Sequence, residues 1–403
     1  MKKILFILPL SLISCFNSLY SQYGYVSNEY NSTITIYSLS SNTSIGSIPM
    51  GNLPKRPKPN YSGDYLYIPQ YGDNNIYVVD TYTNAVVNII NVGTQPFDIA
   101  LTPDNTKAYV SNFGSDNVSI IDIGTNSVTG TINVGSHPKA ISFSPDGAKA
   151  YVVNSLDNSI SVIDVASDAV TTTITFGSNC PVDVQFTPDG LKAYVTLTCL
   201  EGYVSVIDVV SNTVTMNILL GYVPKDLDIS PDGSRVYVTL PDADYVSIIN
   251  TSTDALNTGV AVGDKPVALD FSPDGSKAYV TNENGLSVTI IDAVGETVSG
   301  SFSTSASPTG IAVLSESVGL YEKDLQANTF IYPNPSEGTF KISFDANSSN
   351  NNLLVTDIQG KVVYSNDEID QQVEIIDLNQ PSGIYYVIVS NDQGKYIQKL
   401  IKK

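Results

Sequence analysis

GSHPKAISFSPDGAKAYVVNSLDNSISVIDVASDAVTTTITF, residues 135–176, contains one complete structural unit. PKAISFS (138–144) alternates apolar with small or polar residues, the period of a strand with one buried face. Pro145-Asp146-Gly147 follows, and glycine suits the positive φ that tight hairpins need. AYVVN (150–154), SISVIDV (159–165) and AVTTTITF (169–176) then read as three further short strands separated by turn residues. Aligned on Gly-x-x-Pro and Pro-Asp-Gly, copies of the unit begin at Gly51, Gly93, Gly135, Gly177, Gly221 and Gly263. Each copy runs to 42 residues except the Gly177 copy, which has 44.

Four strands in a repeat of this length make a propeller blade. A single blade cannot bury both faces, so blades stack around an axis and each covers the next. Tyr23 to Met50 supplies three outer strands without an inner one, and SASPTGIAVL (305–314) is an inner strand with no blade after it. Together they complete a seventh blade in which both ends of the repeat region pair, and closure removes exposed edges. The expected fold is all-β: a seven-bladed β-propeller with N/C-terminal strand closure over 22–314, a linker at 315–329, and a small immunoglobulin-like β-sandwich over 330–403.

Composition agrees with this reading. Tyr is abundant at 25, Trp is absent, and no long pattern of helical period appears. Lys+Arg number 20 against Asp+Glu 40, a formal charge of −20 that argues against nucleic acid as a partner. The N-terminus, MKKILFILPLSLISCFNSLYSQ, has Lys2 and Lys3 before the apolar run Ile4 to Ile13, which is the pattern of a signal peptide. Cleavage is expected after Ser21, giving a signal peptide of 1–21. The alternative is a lipoprotein box at Leu12-Ile13-Ser14-Cys15 that would leave Cys15 lipidated. No other segment is apolar for long enough to cross a membrane as a helix, so the mature protein is expected to have no transmembrane segment.

KAYVSN (107–112), KAYVVN (149–154) and KAYVTN (277–282), each preceded by a Pro-Asp turn, resemble the YVTN family of β-propeller repeats. That family occurs in surface-layer and other exported proteins, and the resemblance implies a fold more than a function. After the repeats stop, the tail resembles the C-terminal sorting domain of type IX secretion in Bacteroidota. The marks are Tyr332-Pro333-Asn334-Pro335 with Gly338, then Asp357, Gly360 and Lys361, then Gly383 and Tyr385, and a basic end at Lys399, Lys402 and Lys403. The resemblance implies the type IX machinery as a partner, passage through the periplasm, and a secreted or surface-attached destination. Read without it, the tail is an ordinary immunoglobulin-like accessory module.

The two extra residues of the Gly177 copy fall in loops that carry Cys180 and Cys199. In an up-and-down blade those loops emerge on one face, so a Cys180–Cys199 disulfide is expected in an oxidising compartment. It would contribute roughly 3 kcal/mol. Two independent free thiols are the alternative. No metal site is expected, because no histidine is nearby.

No catalytic motif is present, and no cofactor is expected. The single histidine, His137, is expected to be an exposed loop residue. Asp80, Asp122, Asp164, Asp208 and Asp292 recur once per blade, which points to turn capping. A site should break the repeat, and the Gly51 copy does so. PKRPKPN (54–60) stands where another blade has PVALDFS (266–272). Positions two and four after the leading proline share a face, which places Arg56 and Lys58, with neighbouring Lys55, beside Asp98, Asp183, Asp226, Asp228 and Asp270. One reading is neutralisation of crowded carboxylates. The other is a ligand pocket at the channel mouth, in which the basic residues grip an anionic group. Tyr61, Tyr65, Tyr67 and Tyr71 are candidates for stacking on sugars or for packing between blades. The resulting expectation is a non-enzymatic, exported propeller that binds a glycan or surface protein. The alternatives are a lactonase-like hydrolase or lyase, and a structural surface-layer component.

Overall fold

The computed structural model describes residues 22–60, 62–198, 201–257 and 259–315, and in the tail the strands and adjoining residues between 330 and 402. The expected signal peptide, Cys15, Tyr61, Cys199 and residues 316–329 of the expected linker lie outside the described residues. The chain divides into two compact units at Ser315/Glu316.

The larger unit is a seven-bladed propeller. In the Gly135 blade the strands Pro138–Phe143, Lys149–Asn154, Ser159–Asp164 and Ala169–Thr175 pair in sequence order, all antiparallel. Five further blades repeat this order within their own segments. The seventh is composite: Gly310–Ser315 pairs with Gln22–Asn28, with Tyr23 opposite Leu314 and Tyr25 opposite Ala312. Gly147, Gly190, Gly233 and Gly275 take positive φ in the Asp-Gly turns. The Asp of the later turn caps as its spacing suggests. Asp122 Oδ1 accepts from Thr125 N–H at 2.7 Å, and Asp164, Asp208 and Asp292 repeat the bond.

The core lies between blades. Tyr151, Val153 and Ile160 of one blade pack against Val184, Ala193 and Val195 of the next, all buried. Each buried Val or Ile among them contributes roughly 1.5–3 kcal/mol by leaving water. The second strands carry one fully buried tyrosine per blade: Tyr25, Tyr67, Tyr109, Tyr151, Tyr194, Tyr237 and Tyr279. A buried phenol needs a partner, and most of these hydroxyls find it on the outer turn of the following blade. Tyr151 donates to Asn212 Oδ1 at 2.7 Å, Tyr67 to Asn126 Oδ1 at 3.2 Å and Tyr25 to Asn84 Oδ1 at 3.0 Å. Among the described residues the Tyr279 hydroxyl has no partner.

The opening glycines serve two purposes. A Cβ on Gly93, Gly135 or Gly263 would sit 2.5–2.7 Å from the side chain of Asn112, Asn154 or Asn282, the asparagine that ends the second strand. In the Gly177 and Gly221 blades Leu197 and Leu240 replace that asparagine, and there the glycines take φ of +66° and +79° instead.

The smaller unit is a β-sandwich. One sheet joins Phe330–Tyr332, Thr339–Ser343 and Val373–Asp377. The other orders Val362–Ile369, Asn351–Asp357, Gly383–Asn391 and Gly394–Lys402. Phe340, Ile342 and Ile376 from the first meet Leu353, Val355 and Val387 from the second. Tyr332, Asp357, Gly383, Tyr385, Lys399 and Lys402 lie on these strands, whereas Pro333, Asn334, Pro335, Gly338, Gly360, Lys361 and Lys403 lie outside the described residues. The buried Tyr385 donates its hydroxyl to Pro381 O at 2.7 Å.

Candidate functional site at the channel mouth

Each inner strand borders the central channel, so its outer edge would carry unpaired N–H groups. Aspartates occupy them. Ile141 N–H donates to Asp98 Oδ2 at 3.0 Å, Leu227 N–H to Asp183 Oδ2 at 3.0 Å, and Leu269 N–H to Asp226 Oδ2 at 2.8 Å. Val313 N–H donates to Asp270 Oδ2 at 2.7 Å. In every case the aspartate belongs to one blade and the amide to the next. Asp228 differs, since its Oδ1 accepts from the adjoining Ile229 N–H at 2.9 Å.

Arg56 lies across this ring. Its Nη1 is 3.3 Å from both oxygens of Asp226, and Nη2 is 3.6 Å from Asp270 Oδ1. Nη2 also donates to Leu269 O at 2.7 Å, and Nε to Ile311 O at 3.2 Å. Burial opposes the guanidinium charge, but Asp226, Asp270, Asp228 and Asp183 together outweigh it and hold the proton more firmly than usual. The carboxylates feel burial in the other direction. Burial, then repulsion from Asp226, pushes Asp183 well above the usual range. Burial, then Asp270, pushes Asp228 up to about 7. Burial also raises Asp270, against the pull of Arg56. Three prolines deny the Gly51 blade a full inner strand, and only Lys58–Pro59 and a bridge at Pro54–Gln70 pair there. Arg56 replaces those missing backbone bonds with side-chain bonds to three other blades.

Above the ring opens a cavity of about 370 Å³, lined among others by Lys55, Phe97, Asp98, Asp183, Lys225 and Lys265. Lys55 pairs with Glu29 at 2.5 Å and Lys265 with Glu283 at 2.8 Å. Lys58 faces the channel, where its charge lowers Asp228 and Asp270, and it also lines a second cavity of about 270 Å³ with Thr102, Ser142 and Gln185. Thus the predicted residues do converge on the channel, with Arg56 and the aspartates already bonded to one another or to strand edges.

Two further cations at the mouth are invisible to a search for breaks in the repeat. Lys139 and Lys225 directly follow the leading prolines of their own blades, as Lys55 follows Pro54. Neither is paired with a carboxylate among the described residues. Burial, then repulsion from Lys225 and Lys55, draws the Lys139 ammonium below the usual lysine range. Lys139 Nζ lies 5.9 Å and Lys55 Nζ 5.3 Å from the Phe97 ring centroid. Phe97 stacks on Phe113 at 6.2 Å, and Phe113 on His137 at 4.3 Å. His137 is therefore half-buried and stacked, at φ +52°, not the exposed loop residue expected from its position. Tyr71 sits 6.5 Å from Phe97 with its ring 4.5 Å from Lys55 Nζ, while Tyr67 is buried between blades and Tyr65 is exposed.

Both units resemble known proteins. Residues 330–403 match the model of the secretion system C-terminal sorting domain. The tail is a sorting domain. It directs the protein through type IX secretion to the cell surface or the outside, and it implies that machinery as a partner. Residues 91–261 match the model of the lactonase family of seven-bladed β-propellers. Among solved structures, a hydrazine synthase from Kuenenia stuttgartiensis is 24% identical, with a TM-score of 0.61 over 65% of this chain and 95% of that one. A functionally unknown protein from Desulfotomaculum acetoxidans is 17% identical, with a TM-score of 0.64 over 72% and 98%. A candidate 6-phosphogluconolactonase from Bacteroides uniformis is 14% identical, with a TM-score of 0.64 over 73% and 99%. At these identities the likeness is one of fold. No curated protein matches the chain. Among the described residues no group of His, Cys, Asp and Glu could hold a metal ion, and no helix is long and apolar enough to cross a membrane.

Proposed function

We propose that the exported propeller is a binding protein that takes an anionic ligand at its channel mouth. One observation carries this reading. In a chain of net charge −20, Lys225 lines a cavity of about 370 Å³ and Lys139 directly precedes its lining residue Ala140, and neither lysine has a carboxylate partner among the described residues. Unpaired ammoniums close together repel, and an incoming anion relieves that repulsion. The lining carboxylates favour binding over catalysis, because Asp98, Asp183 and Asp226 are each engaged with a neighbouring blade's N–H. A carboxylate that closes a sheet edge is poorly placed to shuttle protons.

The test is binding of the secreted protein to acidic and neutral polysaccharides and to surface extracts. Lys139→Ala/Lys225→Ala and the Lys55/Arg56/Lys58→Ala variant run beside it. Anion binding that the first pair abolishes supports the reading. Equal retention of acidic and neutral probes would overturn it.

A second reading, lactone hydrolysis, draws on the lactonase match over 91–261 and on Asp228, whose carboxyl sits near neutrality. Turnover of a lactone panel that Asp228→Asn abolishes would establish it. For the remaining architecture, the cleavage proposed after Ser21 rests on Lys2, Lys3 and the apolar run Ile4 to Ile13, and N-terminal sequencing of the secreted protein tests it. The Cys180–Cys199 bridge is supported at Cys180, which is disulfide-bonded and whose carbonyl accepts from Thr198 N–H, next in sequence to Cys199, at 3.1 Å. Non-reducing mass mapping tests the bridge.

A further inference from the structure

Resting on the channel-mouth reading, we propose that the ligand is an acidic saccharide, with a sugar ring against Phe97 and its carboxylate held by Lys139 and Lys225. The type of cation narrows the choice of anion. Phosphate is best recognised by a free guanidinium fork or by backbone N–H groups at a helix start. The one guanidinium in the cavity, Arg56, is already bonded to Asp226, Leu269 O and Ile311 O. The described residues of the propeller include only two short 3₁₀ turns, Glu29–Asn31 and Pro241–Ala243, and no longer helix. Lysine ammoniums remain, and they are point charges that hold a single carboxylate or phosphate group without a bidentate fork, so the neighbouring surface decides between the two.

The neighbouring surface selects what carries that carboxylate. Phe97 presents an aromatic ring beside the ammoniums of Lys139 and of Lys55, the latter paired with Glu29, and the stack continues through Phe113 to His137. Flat rings of this kind suit the C–H face of a pyranose. Hydroxyl groups on the same sugar need polar partners, and both Asp98, which uses Oδ2 for the next blade, and Thr309 line the cavity. The cavity volume, about 370 Å³, is near the lower end for small-molecule sites and admits a chain end more readily than a folded partner. The overall charge of −20 repels densely charged polymers at long range, so a sparsely charged saccharide is favoured over a polyphosphate or nucleic acid.

Isothermal titration of the secreted protein with a trigalacturonate decides the matter. The companion probes are its methyl ester, a neutral galactose trimer, inorganic phosphate and a glutamate-rich peptide. The expected result is binding of the trigalacturonate, weakened about tenfold by esterification and about tenfold by Lys139→Ala or Lys225→Ala. Lys139→Arg retains it, and Phe97→Ala lowers affinity in a protein that remains folded by circular dichroism. Binding of phosphate or the acidic peptide without the uronate overturns this inference and leaves the anion-binding reading standing. Equal binding of the neutral trimer overturns the carboxylate contact, and an unaltered Phe97→Ala affinity overturns the stacking. Failure of every anionic probe overturns both readings.

Discussion

The inner strands of the Gly263 and Gly51 blades occupy equivalent places and are held in opposite ways. Pro266–Phe271 is a six-residue strand, with one register shift near its start, whose Asp270 accepts Val313 N–H from the next blade. PKRPKPN has three prolines, so its backbone contributes little, and Arg56 anchors it through side-chain bonds to Asp226, Leu269 O and Ile311 O. The difference separates two jobs that share one channel. Where the repeat breaks, charge is neutralised within the protein. Where it does not break, at Lys139 and Lys225, charge has no carboxylate partner among the described residues. A departure from a repeat therefore marks a structural necessity here, and the groups proposed to meet a ligand sit inside the regular pattern.

The largest effect should come from Arg56→Met, which strands Asp226 and Asp270 without their cation. Loss of about 3–5 kcal/mol of stability is expected in urea unfolding. A loss under about 1 kcal/mol, the scale of an exposed ion pair, would show that the prolines alone hold this strand. Next, Asp183→Ala removes an interblade acceptor and leaves Leu227 N–H unpaired, for an expected cost of about 1.5–3 kcal/mol. Asp228→Ala, which breaks only a bond to its own neighbour, should cost less.

Smaller again is the contrast between two tyrosines. Tyr151→Phe loses the bond to Asn212 and should cost about 1 kcal/mol. Tyr279→Phe removes a hydroxyl that has no partner among the described residues and should be neutral or slightly stabilising. Matched losses would mean that the seventh tyrosine finds a partner in solution.

The pH dependence sharpens the comparison further. Asp228 is raised from 3.8 to about 7 in the folded chain, so the native state binds more protons than the unfolded one across that window. Its contribution is greatest below pH 3.8 and is lost as pH rises toward 7. The turn aspartates act oppositely. Hydrogen bonds from Thr125, for example, lower Asp122, so its contribution is lost as pH falls below 3.8. Asp228→Asn should therefore flatten the decline between these limits and leave the acid limb intact. An unchanged profile above about pH 5 would show that Asp228 titrates normally.

Much of the fold was legible because turn chemistry is local. Pro-Asp-Gly and the later capping Asp recur at fixed offsets, and each enforces a backbone bend within a few residues. The channel-facing set was legible too, since alternation assigns residues to faces. What alternation cannot supply is the partner. Arg56 meets residues 170 and 255 positions away, and only the closed ring brings them together. Lys139 and Lys225 were hidden for a different reason, because a lysine after proline is ordinary until the ring sets three of them around one opening. His137 looked exposed because its stacking partner, Phe113, comes from the preceding blade.

The strand Gln22–Asn28 has a consequence for biogenesis. It belongs to the first stretch of the propeller to be synthesised, yet its inner neighbour, Gly310–Ser315, is the last. Its inner edge must wait, unpaired, for nearly the entire propeller to be made. Sealing the circle is thus a report of completeness: a chain that stops early leaves an open rim, and only a full-length one delivers a finished ring just ahead of its export tail.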